Sequence, residues 1–302
     1  MRCIAFILIY QIHIMKSYTI IIISFLVLAS CGRHLQSHSV NTVNSIITDA
    51  SGNIELSGIS TEERLKAPPF NTWYDANYNA YTPDTAIISK LAAYLKNKKL
   101  QIFMGTWCGD SKYQVPRMFK VLHQCGVDPR NIELICTGRG DSNYKQSPTH
   151  EERGKGIHHV PTLIVYEKEK ETGRIIESPV QSIEKDLLAI CSKEPYIPHY
   201  KAAEYLFAWY QDPRWQQRMA DSLELAAILK PLAVHAGELM ALGNVQLSSG
   251  ETGKAVFTHR LNTMLYPAEP ATWNYLAKSL IRMGDTTRAS KVMQKVAAIP
   301  GQ

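Results

Sequence analysis

The middle of the chain alternates between short apolar runs and amphipathic segments, a pattern typical of an α/β protein. Apolar runs of strand length occupy residues 100–105, 132–137, 160–166 and 173–177. Segments with apolar residues at helical spacing occupy residues 82–97, 110–123 and 182–192. The order helix, strand, helix, strand, strand, strand, helix predicts a central mixed sheet flanked by helices over residues 70–194.

The helix predicted at residues 82–97 has a clear start signal. Thr82 is expected to cap the helix and Pro83 to lie in its first turn, where the missing N–H of proline costs nothing. Apolar residues then recur at helical spacing and predict one buried face. They are Ile87, Leu91, Ala92 and Leu95.

The last third of the chain, residues 199–302, has helical periodicity throughout and contains a repeat. Residues 250–255 (Gly-Glu-Thr-Gly-Lys-Ala) are similar to residues 284–289 (Gly-Asp-Thr-Thr-Arg-Ala), which lie 34 residues further on. Gly250 and Gly284 are expected to end the first helix of each pair, since glycine adopts the left-handed conformation that follows many helices.

Small residues recur within this repeat and would let paired helices approach closely. They are Gly243, Ala255, Ala277 and Ala289. A helix–turn–helix period of 34 residues with this pattern resembles the tetratricopeptide repeat. The resemblance implies an all-α domain that recruits a protein partner, with residues 200–236 supplying the helices that two repeats lack.

Residues 1–30 predict a secretory signal. Lys16 precedes a short apolar run that ends in small residues. The motif Leu-Ala-Ser-Cys at residues 28–31 resembles a bacterial lipobox, which implies that Cys31 is lipidated and anchors the protein to a membrane of the cell envelope, facing the periplasm. The stretch from Met15 to Cys31 is a complete signal, so Met15 is the expected start; one longer N-terminal anchor is the alternative.

Residues 32–69 are polar and rich in Ser, Asn and Thr, which predicts a tether between the anchor and the first domain. A short strand is expected at residues 54–56 within it. Pro68-Pro69 ends the tether, and Pro195 and Pro198 mark the boundary before the helical domain.

Charge and cysteine content argue against several functions. The formal net charge is +6, but the basic residues are scattered and not interleaved with aromatic ones, so nucleic-acid binding is not expected. The cysteine spacing matches no disulfide scaffold. No Cys-x-x-Cys motif occurs and His158-His159 is an isolated pair, so neither a metal nor a cofactor is expected.

The strongest chemical signal is a strand that leads directly into Trp-Cys-Gly-Asp-Ser at residues 107–111. Cys108 would then open the helix that follows. Its sulfur would face unpaired backbone N–H groups and the positive end of the helix dipole, which favours the nucleophilic thiolate. Trp107 would shield one side of that sulfur.

This segment, together with Pro116 and Val160-Pro161-Thr162, resembles the active site of the thioredoxin family over roughly residues 70–193. The resemblance implies thiol–disulfide exchange on protein or small-molecule thiols, with Cys108 as nucleophile. It also implies that Trp107, Ser111 and Pro161 belong to the active site.

The segment Val160-Pro161-Thr162 resembles the proline loop of that family. The resemblance implies that the Val160–Pro161 bond is cis and lies against Cys108. It further implies that Val160 and Thr162 bind the backbone of a substrate.

Ser111 stands where thioredoxins carry their second cysteine. A hydroxyl cannot attack a mixed disulfide, although one turn from Cys108 it could donate a hydrogen bond to the thiolate. Three interpretations remain open: an outside thiol, Cys125 or Cys136 resolves the mixed disulfide; Cys108 reacts with peroxide; or the domain is a retired enzyme that only binds.

The neighbouring groups receive simpler interpretations. Cys136 lies in an apolar strand and is expected to be an inert core residue, while Cys125 lies at the far end of the helix and is a poor resolving thiol. Cys191 is expected to be partly exposed. Asp110 would disfavour the thiolate of Cys108. The adjacent His158 and His159 are interpreted as ordinary polar loop residues.

The sequence therefore predicts a lipid-anchored, thioredoxin-like protein with monothiol exchange at Cys108 and a helical partner-binding domain. The alternative is a binding module without turnover, in which the helical repeats recruit a partner and the thioredoxin-like surface docks a peptide. The reactivity of Cys108 distinguishes the two.

Overall fold

The computed structural model describes residues 42–48, 51–297 and 299. Six strands in this part of the chain form one sheet: β1 (Ser45–Thr48), β2 (Ile54–Ser60), β3 (Lys99–Met104), β4 (Ile132–Cys136), β5 (Thr162–Glu167) and β6 (Lys170–Ile176). Their spatial order is β1-β2-β4-β3-β5-β6. Strands β3 and β4 are parallel and the other neighbours are antiparallel. The predicted mixed sheet is confirmed, with β1 and β2 added at one edge.

Eleven α-helices lie within the described residues. The five associated with the sheet are α1 (Glu62–Leu65), α2 (Asn71–Ala80), α3 (Thr85–Leu95), α4 (Gly109–Gln124) and α5 (Ile183–Ser192). The six of the helical part are α6 (Lys201–Trp209), α7 (Ser222–Leu229), α8 (Gly237–Ser248), α9 (Thr252–Leu265), α10 (Pro270–Arg282) and α11 (Thr286–Ala297). An α/β unit is therefore followed by an all-helical part, in the predicted order.

The two faces of the sheet have different coverings. Helices α2–α5 cover one face, where Leu91 and Leu122 pack with Ile102 of β3 and all three are fully buried. Side chains alternate along a strand, so Phe103 belongs to the opposite face. There it joins a second core, and Cys108 packs against that core. The Cys108 side chain, directly before the first residue of α4, therefore reaches this second core.

The predicted start of the helix at residues 82–97 is wrong. Helix α3 begins at Thr85, and its cap is Asp84 instead of Thr82. The Asp84 carboxylate accepts hydrogen bonds from the N–H groups of Ala86 (2.9 Å) and Ile87 (3.3 Å). A carboxylate at this position also interacts favourably with the helix dipole, which a threonine hydroxyl does much less. The buried side chains of the helix are Ile88, Leu91 and Leu95.

The prediction of a polar tether over residues 32–69 is wrong for the described part of that segment, although the short strand expected there at residues 54–56 is confirmed as the start of β2. Strand β2 extends to Ser60 and pairs antiparallel with β4, and Leu56 is fully buried. Thr61 then caps α1 by accepting the N–H of Arg64. The serines and glycine of β2 weaken its strand signal in the sequence, and one of its two pairing strands, β4, lies far along the chain.

The predicted signal sequence at residues 1–30 and the predicted lipidation site Cys31 lie outside the described residues. Among the residues that are described, none of the helices combines the length and the apolar character needed to span a bilayer.

Both repeat glycines end a helix as predicted. Gly250 (φ +79°) follows α8 and Gly284 (φ +85°) follows α10. After α8 the N–H of Glu251 donates to the carbonyl of Gln246 at 2.8 Å, and the Gly250 N–H donates to a carbonyl one residue later. This pair of hydrogen bonds requires a residue in the left-handed conformation, which glycine adopts without steric cost.

Gly243 is required where α8 crosses α9. A Cβ atom at Gly243 would lie 2.3 Å from Nε2 of His259. The His259 ring is fully buried and its Nδ1 lies 2.6 Å from the Ser279 hydroxyl, so the ring cannot easily move away. We expect Gly243→Ala to lower the free energy of unfolding by about 1–3 kcal/mol, measured by urea denaturation, because overpacking forces a shift between helices.

The matched control is Gly253→Ala in α9. The nearest atom to a Cβ there is 4.0 Å away, on Trp215. This control should be neutral or stabilising by less than about 1 kcal/mol, since alanine is the better helix former. Equal stabilities for the two variants would contradict the close packing at Gly243.

Candidate functional site

Cys108 is the N-cap of helix α4, directly after the turn that follows β3. Its N–H donates to the carbonyl of Gly105 at 2.9 Å, and its own carbonyl accepts the N–H of Lys112 at 3.0 Å. The side chain is partly exposed. The predicted position at a helix N-terminus is confirmed, so the sulfur lies at the positive end of the helix dipole.

The loop that contains Pro161 lies against this thiol. The Cys108 Sγ donates a hydrogen bond to the carbonyl of Val160 at 3.2 Å, and the Val160–Pro161 peptide bond is cis, as the sequence predicts. Thr162 is turned away from solvent, since it is 1% exposed and its hydroxyl donates to the carbonyl of His159 at 2.8 Å. Val160, next to Pro161, therefore contacts Cys108, whereas the Thr162 hydroxyl is hydrogen-bonded within the loop.

Ser111 has a different hydrogen bond from the one predicted. Its side chain is fully buried, and its Oγ accepts the backbone N–H of Gly105 at 3.2 Å. Within the described residues no hydrogen bond joins Ser111 to Cys108, so the predicted bond to the thiol is not formed here. The Ser111 side chain instead joins the first turn of α4 by a hydrogen bond to the turn that precedes Cys108.

Trp107 is held beside the thiol by its ring nitrogen. Its Nε1 donates to the carbonyl of Thr137 at 2.8 Å, at the end of β4. The indole lies over Gly105, where a Cβ atom would come within 2.4 Å of the ring. Its other neighbour is the ring of Tyr144, at a centroid distance of 6.4 Å. Gly105 is therefore needed for the indole to cover the turn.

An open cleft of about 470 Å³ borders the Trp107 indole. Trp73, Trp107, Lys112 and Glu55 line part of it. Burial raises the pKa of the Glu55 carboxyl, and the charge of Lys112 opposes that shift.

Two charged residues that the sequence does not single out lie around the Cys108 turn: Lys145 interacts with Cys108, and Glu177 interacts with Lys145 and Asp110. The Lys145 Nζ donates to the carbonyl of His158 at 2.6 Å, and burial lowers the pKa of Lys145 to about 8, against the effects of Cys108 and Glu177. The N–H of Glu177 donates to the carbonyl of Pro161 at 2.6 Å. Burial, followed by the charge of Asp110, raises the pKa of Glu177 to about 7, and Lys145 opposes that shift.

No sequence signal identifies these two residues. Lys145 lies in a polar loop between β4 and β5, and Glu177 follows the last residue of β6. Charged residues are common in both settings, so only the fold shows that they flank one thiol. Their ionisation near neutral pH makes the charge around Cys108 dependent on pH.

Both histidines of the loop are buried, contrary to their interpretation as loop polarity. His158 Nε2 lies 2.9 Å from a carboxylate oxygen of Glu204 in α6, and its Nδ1 lies 2.7 Å from Nδ1 of His159. Burial, followed by the charges of His158 and Lys145, lowers the pKa of His159 far below its usual range. His159 is therefore neutral at physiological pH.

The other described cysteines are buried thiols, and no disulfide joins any of the four in this part of the chain. Burial raises the pKa of Cys125 to about 11, of Cys136 to about 12 and of Cys191 to about 11. The prediction of a core position for Cys136 is confirmed. The prediction of partial exposure for Cys191 is wrong, because α5 packs this side chain against α3 and the sheet.

Glu177 provides a test of the electrostatics. We expect Glu177→Gln to raise the alkylation rate of Cys108 above pH 7, by about threefold at pH 8, because the wild-type carboxylate disfavours a nearby thiolate. Below pH 6 the wild-type carboxyl is protonated, so the two rates should converge. Iodoacetamide labelling from pH 5.5 to 9 measures the ratio of the two alkylation rates. A ratio that does not depend on pH would show that Glu177 does not act through its charge.

Comparison of the chain with protein-family models, with curated proteins and with solved structures gives no match. Among the described residues, no group of three or more His, Cys, Asp and Glu side chains is arranged to hold a metal ion.

Proposed function

We propose that this protein is a thioredoxin-like thiol–disulfide exchange protein that uses the single active-site thiol of Cys108. The observation that carries the proposal is the position of this sulfur. It is partly exposed, caps a helix and contacts the Val160 carbonyl next to Pro161. The Lys145 side chain supplies a nearby cation, which favours the thiolate while it is protonated.

The fold supports the proposal at a coarser level. A mixed sheet with helices on one face, a thiol at the junction of β3 and α4, and a helix carrying Pro116 in its interior are similar to the thioredoxin arrangement. The helix pairs α8–α9 and α10–α11 repeat with a 34-residue offset between Gly250 and Gly284, which is similar to tetratricopeptide repeats.

The exchange has two steps. The Cys108 thiolate attacks one sulfur of a disulfide R–S–S–R′; the new bond joins Cys108 to R–S, and R′–S⁻ leaves and takes up a proton. A second thiolate R″–S⁻ then attacks the mixed disulfide at the R sulfur, forms R–S–S–R″ and releases the Cys108 thiolate. Ser111 cannot perform the second step, and Cys125, Cys136 and Cys191 are buried. The resolving thiol is therefore external.

Mixed-disulfide formation tests this function. The protein is incubated with oxidised glutathione as a model disulfide, and intact mass and peptide mass spectrometry locate the adduct. We expect one glutathione on Cys108, released by added thiol, and none at that position in Cys108→Ser. An adduct absent from Cys108 after prolonged incubation at pH 8 would refute the proposal.

A binding module without turnover is the second candidate, and one observation favours it. Residues 139–144 contact the helical part: the Asp141 carboxylate pairs with Lys278 at 3.1 Å, and the Ser248 hydroxyl donates to the Asp141 carbonyl at 2.8 Å. A protein partner on α8 and α10 would therefore contact the loop next to Trp107. The mixed-disulfide experiment separates the candidates, since a binding module needs no reactive thiol.

We also propose the location. A lipid on Cys31 would anchor the protein to a bacterial membrane, with the thiol site on the periplasmic side. Cys31→Ala should leave the signal uncut or release the protein from membranes, as membrane fractionation and N-terminal peptide analysis would show. Unchanged membrane attachment of a Cys31→Ala protein whose N-terminus lies after Ser30 would contradict the lipid anchor.

A further inference from the structure

The segment 158–161 lies between the thiol and the start of helix α6. On one side, the carbonyl of Val160 accepts the hydrogen bond of Cys108 at 3.2 Å. On the other side, the segment contacts Tyr200 and Glu204. The helical part therefore reaches the loop that meets the nucleophile.

Tyr200 holds this segment at two places. Its ring stacks on His159, with a centroid distance of 3.7 Å and an interplanar angle of 12°. Its hydroxyl donates a hydrogen bond to the carboxylate of Glu177. The backbone of Glu177 in turn donates to the Pro161 carbonyl at 2.6 Å. Tyr200 thus supports the residues on both sides of Val160.

The backbone of Tyr200 has an unusual conformation. Its φ of +64° and ψ of +46° lie in the left-handed region, which large side chains rarely adopt. Tyr200 is also the N-cap of α6, and its carbonyl accepts the N–H of Glu204 at 3.0 Å. A conformation of this kind persists where surrounding contacts hold it, and it is common at functional sites.

Glu204 orders the two histidines. The hydrogen bond from His158 and the charge of Arg174 lower the pKa of Glu204 in spite of the opposing effect of burial, so the carboxylate is ionised. His158 Nε2 lies 2.9 Å from this carboxylate, and its Nδ1 lies 2.7 Å from Nδ1 of His159, so one hydrogen-bonded chain joins Glu204, His158 and His159.

We propose that Tyr200 and Glu204 are positioning residues for Cys108: they hold the Val160 carbonyl against the sulfur and so control how readily the thiol loses its proton. The inference rests on the proposed thiol chemistry of Cys108. It gives the helical part a role in the reaction itself, in addition to any recruitment of a partner.

The direction of the effect follows from the bonds involved. Only the protonated thiol can donate to the Val160 carbonyl, so this contact disfavours the thiolate. The Tyr200 hydroxyl stabilises the ionised carboxylate of Glu177, and the negative charge of that carboxylate also disfavours the thiolate. The titratable and charged groups around the thiol come from several segments. They are Asp110 of α4, Tyr144 and Lys145 of the loop after β4, His159, Glu177 after β6 and Tyr200.

The test is the pH profile of Cys108 alkylation by iodoacetamide, from pH 6 to 9.5 on the full chain, with each cysteine followed by peptide mass spectrometry. Tyr200→Phe removes the hydroxyl bond and keeps the ring stack. We expect its profile to move to lower pH and its rate at pH 7.5 to rise about threefold. Tyr200→Leu removes both contacts and should move the profile further. A lower free energy of unfolding by itself would not shift the pH profile of Cys108 alkylation.

Tyr205→Phe and Tyr205→Leu are the matched controls, because Tyr205 lies on the same helix and is 39% exposed. Both should reproduce the wild-type profile. Glu204→Ala should shift the profile in the same direction as Tyr200→Phe, and Glu204→Gln, which keeps an acceptor for His158, should restore most of the wild-type behaviour.

Profiles of Tyr200→Phe that coincide with wild type, or that move to higher pH, would overturn the proposal even if Tyr200→Leu fails to fold. The proposed function fails separately, through the absence of a glutathione adduct on Cys108. Alkylation needs no disulfide substrate, so the pH profile tests the positioning role in either case.

Discussion

Cys108 is expected to react with iodoacetamide at least about a hundredfold faster than any other described cysteine at pH 7.5. Burial raises the pKa of Cys125 and Cys191 to about 11, so roughly one in three thousand of these thiols is ionised at that pH. Cys136 has a pKa raised to about 12 and is fully buried, which leaves even less thiolate and no path for the reagent. Cys108 is partly exposed at a helix N-terminus.

Peptide mass spectrometry at short labelling times measures the four rates in one sample. The same measurement in urea is the control, because unfolding removes burial and should make the rates similar. If Cys108 labels no faster than Cys191 in the folded protein, the thiol is not a nucleophile and the binding-module candidate takes its place.

Ser111→Cys is expected to raise the turnover of insulin disulfide reduction, with dithiothreitol as the electron donor, by at least about tenfold. A thiol at position 111 would lie one helical turn from Cys108 and could attack the mixed disulfide, which converts an external second step into an internal one. The substitution replaces the acceptor for the Gly105 N–H by a weaker one, at a cost of about 1 kcal/mol.

Two controls accompany this variant. Ser111→Ala loses the same hydrogen bond without adding a thiol, so it should show no gain. Cys108→Ala combined with Ser111→Cys should be inactive, because the nucleophile is gone. A folded Ser111→Cys protein with wild-type turnover would mean that substrates do not reach Cys108 in the geometry that exchange requires.

Strands β3 to β6 and helices α4 and α5 follow from the sequence because each carries its own signal. An apolar run of strand length followed by an amphipathic segment predicts a strand and then a helix wherever it lies in a chain. The repeat glycines at 250 and 284 are equally local, since a left-handed residue after a helix is a backbone requirement. Cys108 at a helix start follows from the strand–helix order alone.

Other features depend on partners that the local sequence does not reveal. Strand β2 contains Ser57, Gly58 and Ser60, and it is a strand because it pairs with β1 on one side and with the distant β4 on the other. Cys191 is buried because α5 packs on α3. The cap of α3 is instead a local choice: the Asp84 carboxylate, not Thr82, reaches two N–H groups of the first turn.

The surroundings of the thiol divide in the same way. The motif around Cys108 and the loop at Pro161 are short sequence signals, and the contact between Cys108 and Val160 confirms that they meet. Lys145, Glu177 and Tyr200 come from a loop, a strand end and a helix start, where polar residues have no periodic pattern. The sequence by itself determined most of the elements and the position of the thiol at a helix start, whereas the tertiary structure decided which charges surround that thiol, because charge acts through distances in space that separation along the chain does not predict.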